Sequence, residues 1–254
     1  MQWNLEGKTG LVTGAGSGIG QAVALALAAQ GVTVAVAALD PTRAQRTASQ
    51  INERGQKAVP LTMDVSDPAQ VARGVAEART ALGPVDYLVN VAGIFQEVRV
   101  QQMSDADWAR MLAVHLNGTF YCCRAVLPGM IERRFGAIVN TASLHALRGQ
   151  ALAAHYSAAK AGIMGFTKAL AREVATHGLR VNAVAPGPID TPLWRGGLTG
   201  PELETRRTQR VGVIPLGRLG EAAEVADAIL FLLSPASKYV TGQVVSINGG
   251  ELMV

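Results

Sequence analysis

From residue 9 to residue 37 the chain reads TGLVTGAGSGIGQAVALALAAQGVTVAVA. A short apolar run leads into four glycines at alternate positions, an Ala/Leu-rich helical segment follows, and a valine-rich run closes the stretch. This order of strand, glycine turn, helix and strand predicts a βαβ unit. Glycines let the backbone approach a pyrophosphate, whose charge a helix N-terminus stabilises. The stretch therefore indicates dinucleotide binding and the first part of a doubly wound α/β fold.

The remaining sequence continues to alternate between helical and strand-like segments. Apolar periodicity predicts helices near residues 41–54, 68–81, 104–127, 155–176 and 221–233. Short apolar runs predict strands near residues 58–63, 86–90, 137–141, 180–184 and 244–247. The whole pattern predicts an α/β fold of the Rossmann type, a doubly wound parallel seven-stranded sheet with helices on both faces. Because no linker divides the sequence, we expect one domain over residues 1–254.

Composition excludes several classes of protein. The 254 residues are 49% hydrophobic, which is enough for one well-buried core. The net charge of +4 comes without a clustered basic run, so we expect no nucleic-acid partner. The cysteines, Cys122 and Cys123, are adjacent and cannot build a disulfide framework. Without a signal-peptide pattern or a span-length apolar run, we expect a cytoplasmic protein with no membrane partner.

A possible catalytic pair lies in the second half of the chain. Tyr156 and Lys160 are four positions apart, so they share one face of the predicted helix. A nearby ammonium favours the phenolate, which makes Tyr156 a plausible acid/base group. Ser143, thirteen positions earlier, offers a hydroxyl to the same substrate oxygen. The spacing alone is equally typical of an amphipathic helix that carries an incidental tyrosine and lysine.

Several motifs in order decide between these readings. They are Thr13-Gly-Ala-Gly-Ser-Gly-Ile-Gly20, Asn90-Val-Ala-Gly93, Tyr156-Ser-Ala-Ala-Lys160, Pro186-Gly-Pro-Ile-Asp-Thr191 and Ile247-Asn-Gly-Gly250. Together they resemble the short-chain dehydrogenase/reductase family over essentially the whole chain, with Val91 in place of a usual second Asn. The resemblance implies an NAD(P)(H)-dependent oxidoreductase that interconverts a ketone and a secondary alcohol. It also implies a homotetramer, or a homodimer.

The resemblance assigns roles to individual residues. Ser143 would orient the substrate oxygen, Tyr156 would exchange its proton, and Lys160 would lower the tyrosine pKa and hold the nicotinamide ribose. The cofactor would contact Gly14, Gly16, Ser17, Gly18, Ile19, Gly20, Ala38, Leu39, Asp64, Val65, Asn90, Ala92, Gly93, Tyr156, Lys160, Pro186, Gly187, Ile189 and Thr191.

One catalytic position departs from the family pattern. The family carries an Asn in N-L-x-G, whereas this chain has His115-Leu-Asn-Gly118. A neutral imidazole both donates and accepts hydrogen bonds, so His115 is a candidate for the catalytic proton relay that the Asn supports. A structural histidine that fills the space is an equal alternative.

The end of the second strand bears on the choice of cofactor. The usual ribose-binding carboxylate position falls on Ala38, and Leu39 is apolar. Asp40 precedes Pro41, so it is better explained as a helix N-cap than as a ribose ligand. Arg43 is the nearest cation for a 2′-phosphate. We therefore expect NADP(H), with NAD(H) use possible.

Substrate contacts are expected from three segments near the catalytic residues. The resemblance places them at Ser143, His145, Gln150, His155 and Trp194. Residues 192–213 are predicted to be a mobile substrate loop. His145 and His155 lack a third ligand with suitable spacing, so we expect no metal site.

Segments 168–174 and 214–219 and the final residues most resemble bacterial 3-oxoacyl-acyl-carrier-protein reductases, which dock their acidic carrier on basic residues. Arg134 matches one of those docking positions, whereas His177 occupies another. Other alcohols, sugars, cyclic ketones and steroids stay open as substrates. A dinucleotide-binding sensor without catalysis is a second class of function. Nucleotide-sugar epimerases or dehydratases are a third, expected in relatives with a larger C-terminal substrate region.

Overall fold

In the computed structural model, which describes residues 3–253, the strands form one parallel sheet. The strands are β1 (Thr9–Thr13), β2 (Thr33–Ala38), β3 (Ala58–Thr62), β4 (Tyr87–Asn90), β5 (Gly136–Thr141), β6 (Leu179–Pro186) and β7 (Val244–Ile247). Their order across the sheet is β3-β2-β1-β4-β5-β6-β7. The predicted seven-stranded, doubly wound parallel sheet is confirmed.

Ten α-helices are present in the described part of the chain. They are α1 (Gly18–Ala29), α2 (Pro41–Asn52), α3 (Pro68–Leu82), α4 (Asp105–Leu112), α5 (Gly118–Arg133), α6 (Leu144–Arg148), α7 (Ala154–Val174), α8 (Pro192–Arg195), α9 (Gly200–Val211) and α10 (Ala222–Leu233). Short 3₁₀ turns lie at Val100–Gln102, Ala175–His177 and Pro235–Ser237. None of these helices is long and apolar enough to span a bilayer.

Helices cover both faces of the sheet. Val23 of α1 and Ile229 of α10 are completely buried in the cluster on one face. Val71 of α3, Cys123 of α5 and Leu170 of α7 belong to the cluster on the other. The strands between them are buried on both sides, which explains their continuous apolar sequences.

Local capping explains where several helices begin. The Asp40 carboxylate accepts hydrogen bonds from the amides of Thr42 and Arg43, as predicted for an N-cap. Asp67 caps α3 in the same way, and Ser104 forms a reciprocal capping box with Asp107.

The structure differs from the sequence prediction in two segments. The long helix predicted near residues 104–127 is interrupted by one π-helical stretch, Ala113–Asn117, which contains His115. Such a stretch widens the helix locally and is frequent at functional sites. The segment predicted to be a loop, residues 192–213, contains α8 and α9. It is therefore more regular than its glycines suggested.

Candidate active site

The candidate site is a cleft at the carboxyl ends of the central strands. β1 lies between β2 and β4, so the direction in which the sheet is built reverses there. Ligands of doubly wound folds bind at this switch point. The cleft has a volume of about 410 Å³ and runs from the glycine turn to α7 and α9.

The glycine turn brings the backbone close to neighbouring chain segments. Gly14 has a φ of +66°, and a Cβ there would lie 2.8 Å from the backbone of Ala92. A Cβ on Gly20 would meet the Gly14 carbonyl oxygen. Thr13 supports the same region, because its hydroxyl accepts from the amides of Val91 and Ala92 at 3.1 and 3.2 Å. Side chains at Gly14 and Gly20 would clash with these neighbouring segments, so the close approach requires glycine.

The start of α1 is chemically suited to a pyrophosphate. Ser17, at the N-cap, makes no side-chain capping hydrogen bond, and the first turn carries no acidic residue. The first amides of this helix therefore have no side-chain partner, and the helix dipole favours an anion. Thr141, further along the cleft, has a buried hydroxyl that finds no hydrogen-bond partner among residues 3–253. These residues fit a nicotinamide dinucleotide.

The adenosine side of the turn differs from the sequence expectation. A Cβ on Gly16 would lie 3.2 Å from Cβ of Ala38 and 2.7 Å from Cβ of Arg43, so these residues adjoin. Arg43 is paired with Asp40 at 3.1 Å. Arg46, which the sequence analysis missed, donates to the Gly16 carbonyl at 3.2 Å. Two arginine residues therefore adjoin this end of the turn.

Tyr156 lies in a ring of aromatic side chains. Its ring centroid is 5.2 Å from those of Phe95 and His115 and 5.9 Å from that of His145, in edge-to-face arrangements. Three separate segments supply these rings: the connection after β4 carries Phe95, the π-helical stretch carries His115 and α6 carries His145. The phenol is consequently fixed in orientation within the cleft.

Burial acts on both members of the predicted Tyr–Lys pair. It raises the pKa of Tyr156, an effect that the Ser143 hydroxyl opposes. It also lowers the pKa of Lys160 from 10.5 to about 7. The Lys160 ammonium donates to the Thr141 carbonyl at 2.5 Å and lies 5.7 Å from the phenol ring centroid. Burial is thus the largest influence on the pKa of Tyr156, and the lowering of this pKa by Lys160 stays a prediction.

Ser143 is held with its hydroxyl proton available. It is 6% exposed and caps α6, with its oxygen accepting from the His145 amide at 3.1 Å. A hydroxyl that accepts in this way still has its own proton to donate. Ser143 can therefore donate to an oxygen in the cleft.

His115 contacts both the cleft and the loop after β4. Its Nε2 is 2.8 Å from the Ile94 carbonyl oxygen, while the buried Nδ1 has no hydrogen-bond partner in the part of the chain that the structure describes. Burial, followed by the charge of Lys160, holds its pKa well below 6.5. A Cβ on Gly93 would clash with the imidazole, so glycine is required beside it. The ring is neutral and closely packed.

Most predicted site residues share this cleft. Those lining it are Gly14, Ser17, Gly18, Ile19, Gly20, Ala92, Gly93, His115, Ser143, His145, Gln150, Tyr156, Lys160, Pro186, Gly187, Ile189, Thr191 and Trp194. Residues of the predicted adenosine side lie outside it: Gly16, Ala38, Leu39, Asp64 and Val65. Of these, Asp64 caps its own loop by accepting from Ser66 at 2.7 Å.

Two predicted contacts lie elsewhere. The Asn90 amide donates to the Asn140 side chain at 2.9 Å and does not line the cleft, so its contact with the cofactor stays a prediction. His155 is completely buried, with Nε2 3.5 Å from the Gln96 amide oxygen. His155 precedes Tyr156 by one position, about 100° around α7, and does not line the cleft, so its contact with substrate stays a prediction.

Sequence reasoning missed several residues of the cleft. They are Glu97, Thr141, Arg206 and Arg210, together with Phe95. None of them belongs to the motifs that carry the sequence prediction.

Comparisons with known proteins agree with this geometry. A family model described as Enoyl-(Acyl carrier protein) reductase matches residues 14–251. The chain is 42% identical over 251 residues to a 3-oxoacyl-acyl-carrier-protein reductase of Pseudomonas aeruginosa, covering 98% of this chain and 99% of that protein. It is 39% identical over 251 residues to one of Vibrio cholerae, covering 99% and 100%.

Solved structures are similar over the same length. A short-chain type dehydrogenase/reductase from Mycobacterium marinum superposes with a TM-score of 0.92 at 35% identity, covering 99% of this chain and 98% of that one. A 3-oxoacyl-acyl-carrier-protein reductase from Brucella melitensis with bound NAD gives a TM-score of 0.90 at 39% identity, covering 100% and 94%.

The parallel sheet, the glycine turn and the cleft at the switch point define a dinucleotide-dependent oxidoreductase. With full-length relatives at these identities, the chain belongs to the short-chain dehydrogenase/reductase family. It is an oxidoreductase that interconverts a ketone and a secondary alcohol with NAD(P)(H).

Proposed function

We propose that Tyr156 is the acid/base of this reaction and that Ser143 and Lys160 are its catalytic partners. The observation that carries the proposal is their position in one cleft, opposite the uncapped start of α1. A nicotinamide bound there supplies or accepts the hydride at the carbonyl carbon. Ser143 donates a hydrogen bond to the carbonyl oxygen, and Tyr156 donates its proton to that oxygen.

The electrostatics favour proton donation by Tyr156 at neutral pH. Its raised pKa keeps the phenol protonated, as ketone reduction requires. When the proton has left, the Lys160 ammonium stabilises the phenolate, and its hydrogen bond to Thr141 fixes its position. Lys160 lines the same cleft, which supports a role in holding the ribose of the nicotinamide. In alcohol oxidation the same proton moves in the opposite direction.

The test is Tyr156→Phe with Tyr239→Phe as a matched control. Tyr239 is fully exposed and outside the cleft, so its change removes a hydroxyl without touching the site. We expect Tyr156→Phe to lower kcat by about 10²–10⁴-fold, the usual effect of general acid–base catalysis, while cofactor affinity is retained. Unchanged kcat in Tyr156→Phe contradicts the assignment. Cofactor binding without turnover of any ketone by the wild type would favour a sensor.

We also propose NADP(H) as the preferred cofactor. Ala38 leaves no carboxylate at the end of β2 to repel a 2′-phosphate, and Arg43 and Arg46 stand next to the glycine turn. The relative from Brucella melitensis has NAD bound, which keeps NAD(H) as the alternative. Comparing kcat/KM for NADPH and NADH on the same ketone tests the preference. A large NADH preference would overturn it.

The relatives' names suggest an acyl-carrier substrate as a narrower alternative. Carrier docking needs a basic surface, and Arg134 is the matching residue, although it precedes β5 and lies at the opposite end of that strand from the cleft. Its guanidinium donates to the Thr176 carbonyl at 2.8 Å, so one of its nitrogens is already hydrogen-bonded. Assaying 3-oxoacyl and enoyl carrier thioesters beside simple ketones separates these activities. We therefore propose the general ketone reaction first.

Assembly and compartment are also proposals. The family resemblance implies a homotetramer, and the surface of α4 and α5 exposes Trp108 by 42% and Phe120 by 39%. Cys122 and Cys123 are buried free thiols, which suits the reducing cytoplasm. A fusion to a thiol-sensitive reporter in intact cells tests the compartment.

A further inference from the structure

The helices beyond Thr191 carry an unusual group of arginines. Asp190 pairs with Arg195 at 2.7 Å and with Arg207 at 2.8 Å. Glu251, whose side chain is 2% exposed, pairs with Arg148 at 2.7 Å and Arg210 at 2.5 Å. Each carboxylate thus forms ion pairs with two guanidinium groups.

Arg206 lies among these arginines without an acidic partner. Its guanidinium lies 5.3 Å from the centroid of the Trp194 ring, and both side chains line the cleft. Within residues 3–253 it forms no ion pair and no side-chain hydrogen bond. Stacking on the indole fixes a guanidinium plane while its edge stays available for a planar anion.

The substrate end of the cleft carries excess positive charge. Burial, followed by the charges of Arg148 and Arg210, lowers the pKa of His145 to about 4. Arg206 and Arg148 in turn act on Arg210, whose pKa is lowered by burial despite Glu251. Glu97 also lines the cleft, but its side chain is exposed to solvent. A bound anion would offset this excess.

We propose that the substrate is a small oxo acid, or the corresponding hydroxy acid, whose carboxylate binds Arg206 while its carbonyl meets Tyr156. The inference rests on the proposed function of Tyr156. Arg206 has the planar, bidentate geometry that carboxylates match, and the neighbouring arginines already bind carboxylates. The 410 Å³ cleft must also hold the nicotinamide end, so the space that is left suits a small molecule.

The experiment compares charged and neutral forms of the same ketone. The probes are 2-oxobutanoate, 3-oxobutanoate and 4-oxopentanoate, each beside its methyl ester, with kcat/KM measured at saturating cofactor. Binding of each probe to the enzyme–cofactor complex is measured in parallel by calorimetry. The variants are Arg206→Met and Arg206→Lys, with Arg54→Met as the control because Arg54 is exposed outside the cleft.

We expect at least one carboxylate to exceed its ester by about tenfold to a hundredfold, the usual effect of a charge-assisted hydrogen bond. Arg206→Met should abolish that preference mainly through KM, Arg206→Lys should restore part of it, and Arg54→Met should leave it intact. If no carboxylate binds better than its ester, the inference is wrong. It is equally wrong if Arg206→Met weakens acid and ester alike, since Arg206 then serves the cofactor.

The two proposals fail in different ways. Arg206-dependent binding of a carboxylate without any turnover retains the inference and rejects the proposed chemistry. Reduction of esters that depends on Tyr156, with no preference for their acids, retains the chemistry and rejects the inference.

Discussion

Burial moves the pKa values of Lys160 and Tyr156 in opposite directions, and both shifts favour the uncharged form. The pKa of Lys160 is lowered to about 7, and the pKa of Tyr156 is raised. At neutral pH the phenol keeps its proton, while the amine is partly protonated. A small electrostatic change in the cleft is therefore enough to alter the protonation of Lys160, which is the property a proton-transfer site needs.

The Lys160 shift predicts a pH dependence of stability. The unfolded lysine keeps its proton up to pH 10.5, whereas the folded one releases it near 7. Between these values the unfolded state binds more protons, so the free energy of unfolding rises with pH, by up to about 1.4 kcal/mol per pH unit. Urea unfolding of wild type and Lys160→Met at pH 6.5 and 9 measures this. From pH 6.5 to pH 9 the free energy of unfolding of the wild type should rise relative to that of the variant. An equal difference between the two proteins at both pH values contradicts the shift.

His115 combines a packing role with a possible catalytic one. Its Nε2 holds the loop at Ile94, and its ring lies against Tyr156. We expect His115→Ala to lower kcat more than it raises the Kd for the cofactor, because the imidazole belongs to the environment of the phenol. Steady-state kinetics from pH 6 to 10 and cofactor titration give the two quantities. His115→Asn, which restores a polar side chain, should recover part of kcat. Unchanged turnover of His115→Ala at every pH would reject the relay.

Short spacings and glycine patterns predicted the residues nearest the chemistry. The helical period places Tyr156 and Lys160 on one face, and the resemblance of several motifs assigned their roles; the glycine turn predicted the close backbone approach at Gly14 and Gly20. The resemblance also assigned His155 to the substrate, but His155 does not line the cleft, because residues adjacent in sequence lie on different sides of a helix. Arg206 was unpredictable, since its relation to Trp194 depends on how α8 and α9 fold back.

At the level of elements, α6 and α9 are joined through the C-terminal tail. Glu251 accepts from Arg148 of α6 and from Arg210 of α9. Because α6 begins just after Ser143 and α9 carries Arg206, this carboxylate fixes two walls of the cleft. The sequence could not indicate the contact, because the paired residues are 103 and 41 positions from Glu251.

Removing this charge should loosen α9. Glu251→Gln leaves two guanidinium groups without their carboxylate, and since both are partly exposed we expect a loss of about 1–3 kcal/mol. Substrate KM should rise as well, because α9 lines the cleft. Urea unfolding, proteolysis within residues 192–213 and kinetics test this. The control Glu204→Gln removes an exposed carboxylate 3.7 Å from Arg207, which should matter little. Equal effects of the two changes would contradict the role of Glu251.

For the whole molecule, the open question is how the chains assemble. Phe120 packs against Tyr121 and Phe166 at centroid distances of 5.5 and 6.2 Å, and Arg124 lies over its ring at 4.8 Å. This aromatic surface joins α5 to α7 and stays partly exposed at Phe120. Aromatic and arginine side chains are enriched where proteins associate.

Phe120→Asp tests whether this surface holds the proposed homotetramer together. A buried carboxylate in an interface is strongly unfavourable, while in a separate chain the aspartate is solvated beside Arg124. We expect light scattering to give four chains for the wild type and fewer for the variant, with circular dichroism unchanged. The control is Leu39→Asp. It places the same charge on a residue that is 65% exposed and that follows β2, near the β3 edge of the sheet, and it should keep the wild-type mass. A four-chain Phe120→Asp would place the interface elsewhere, and a monomeric wild type would reject the tetramer itself.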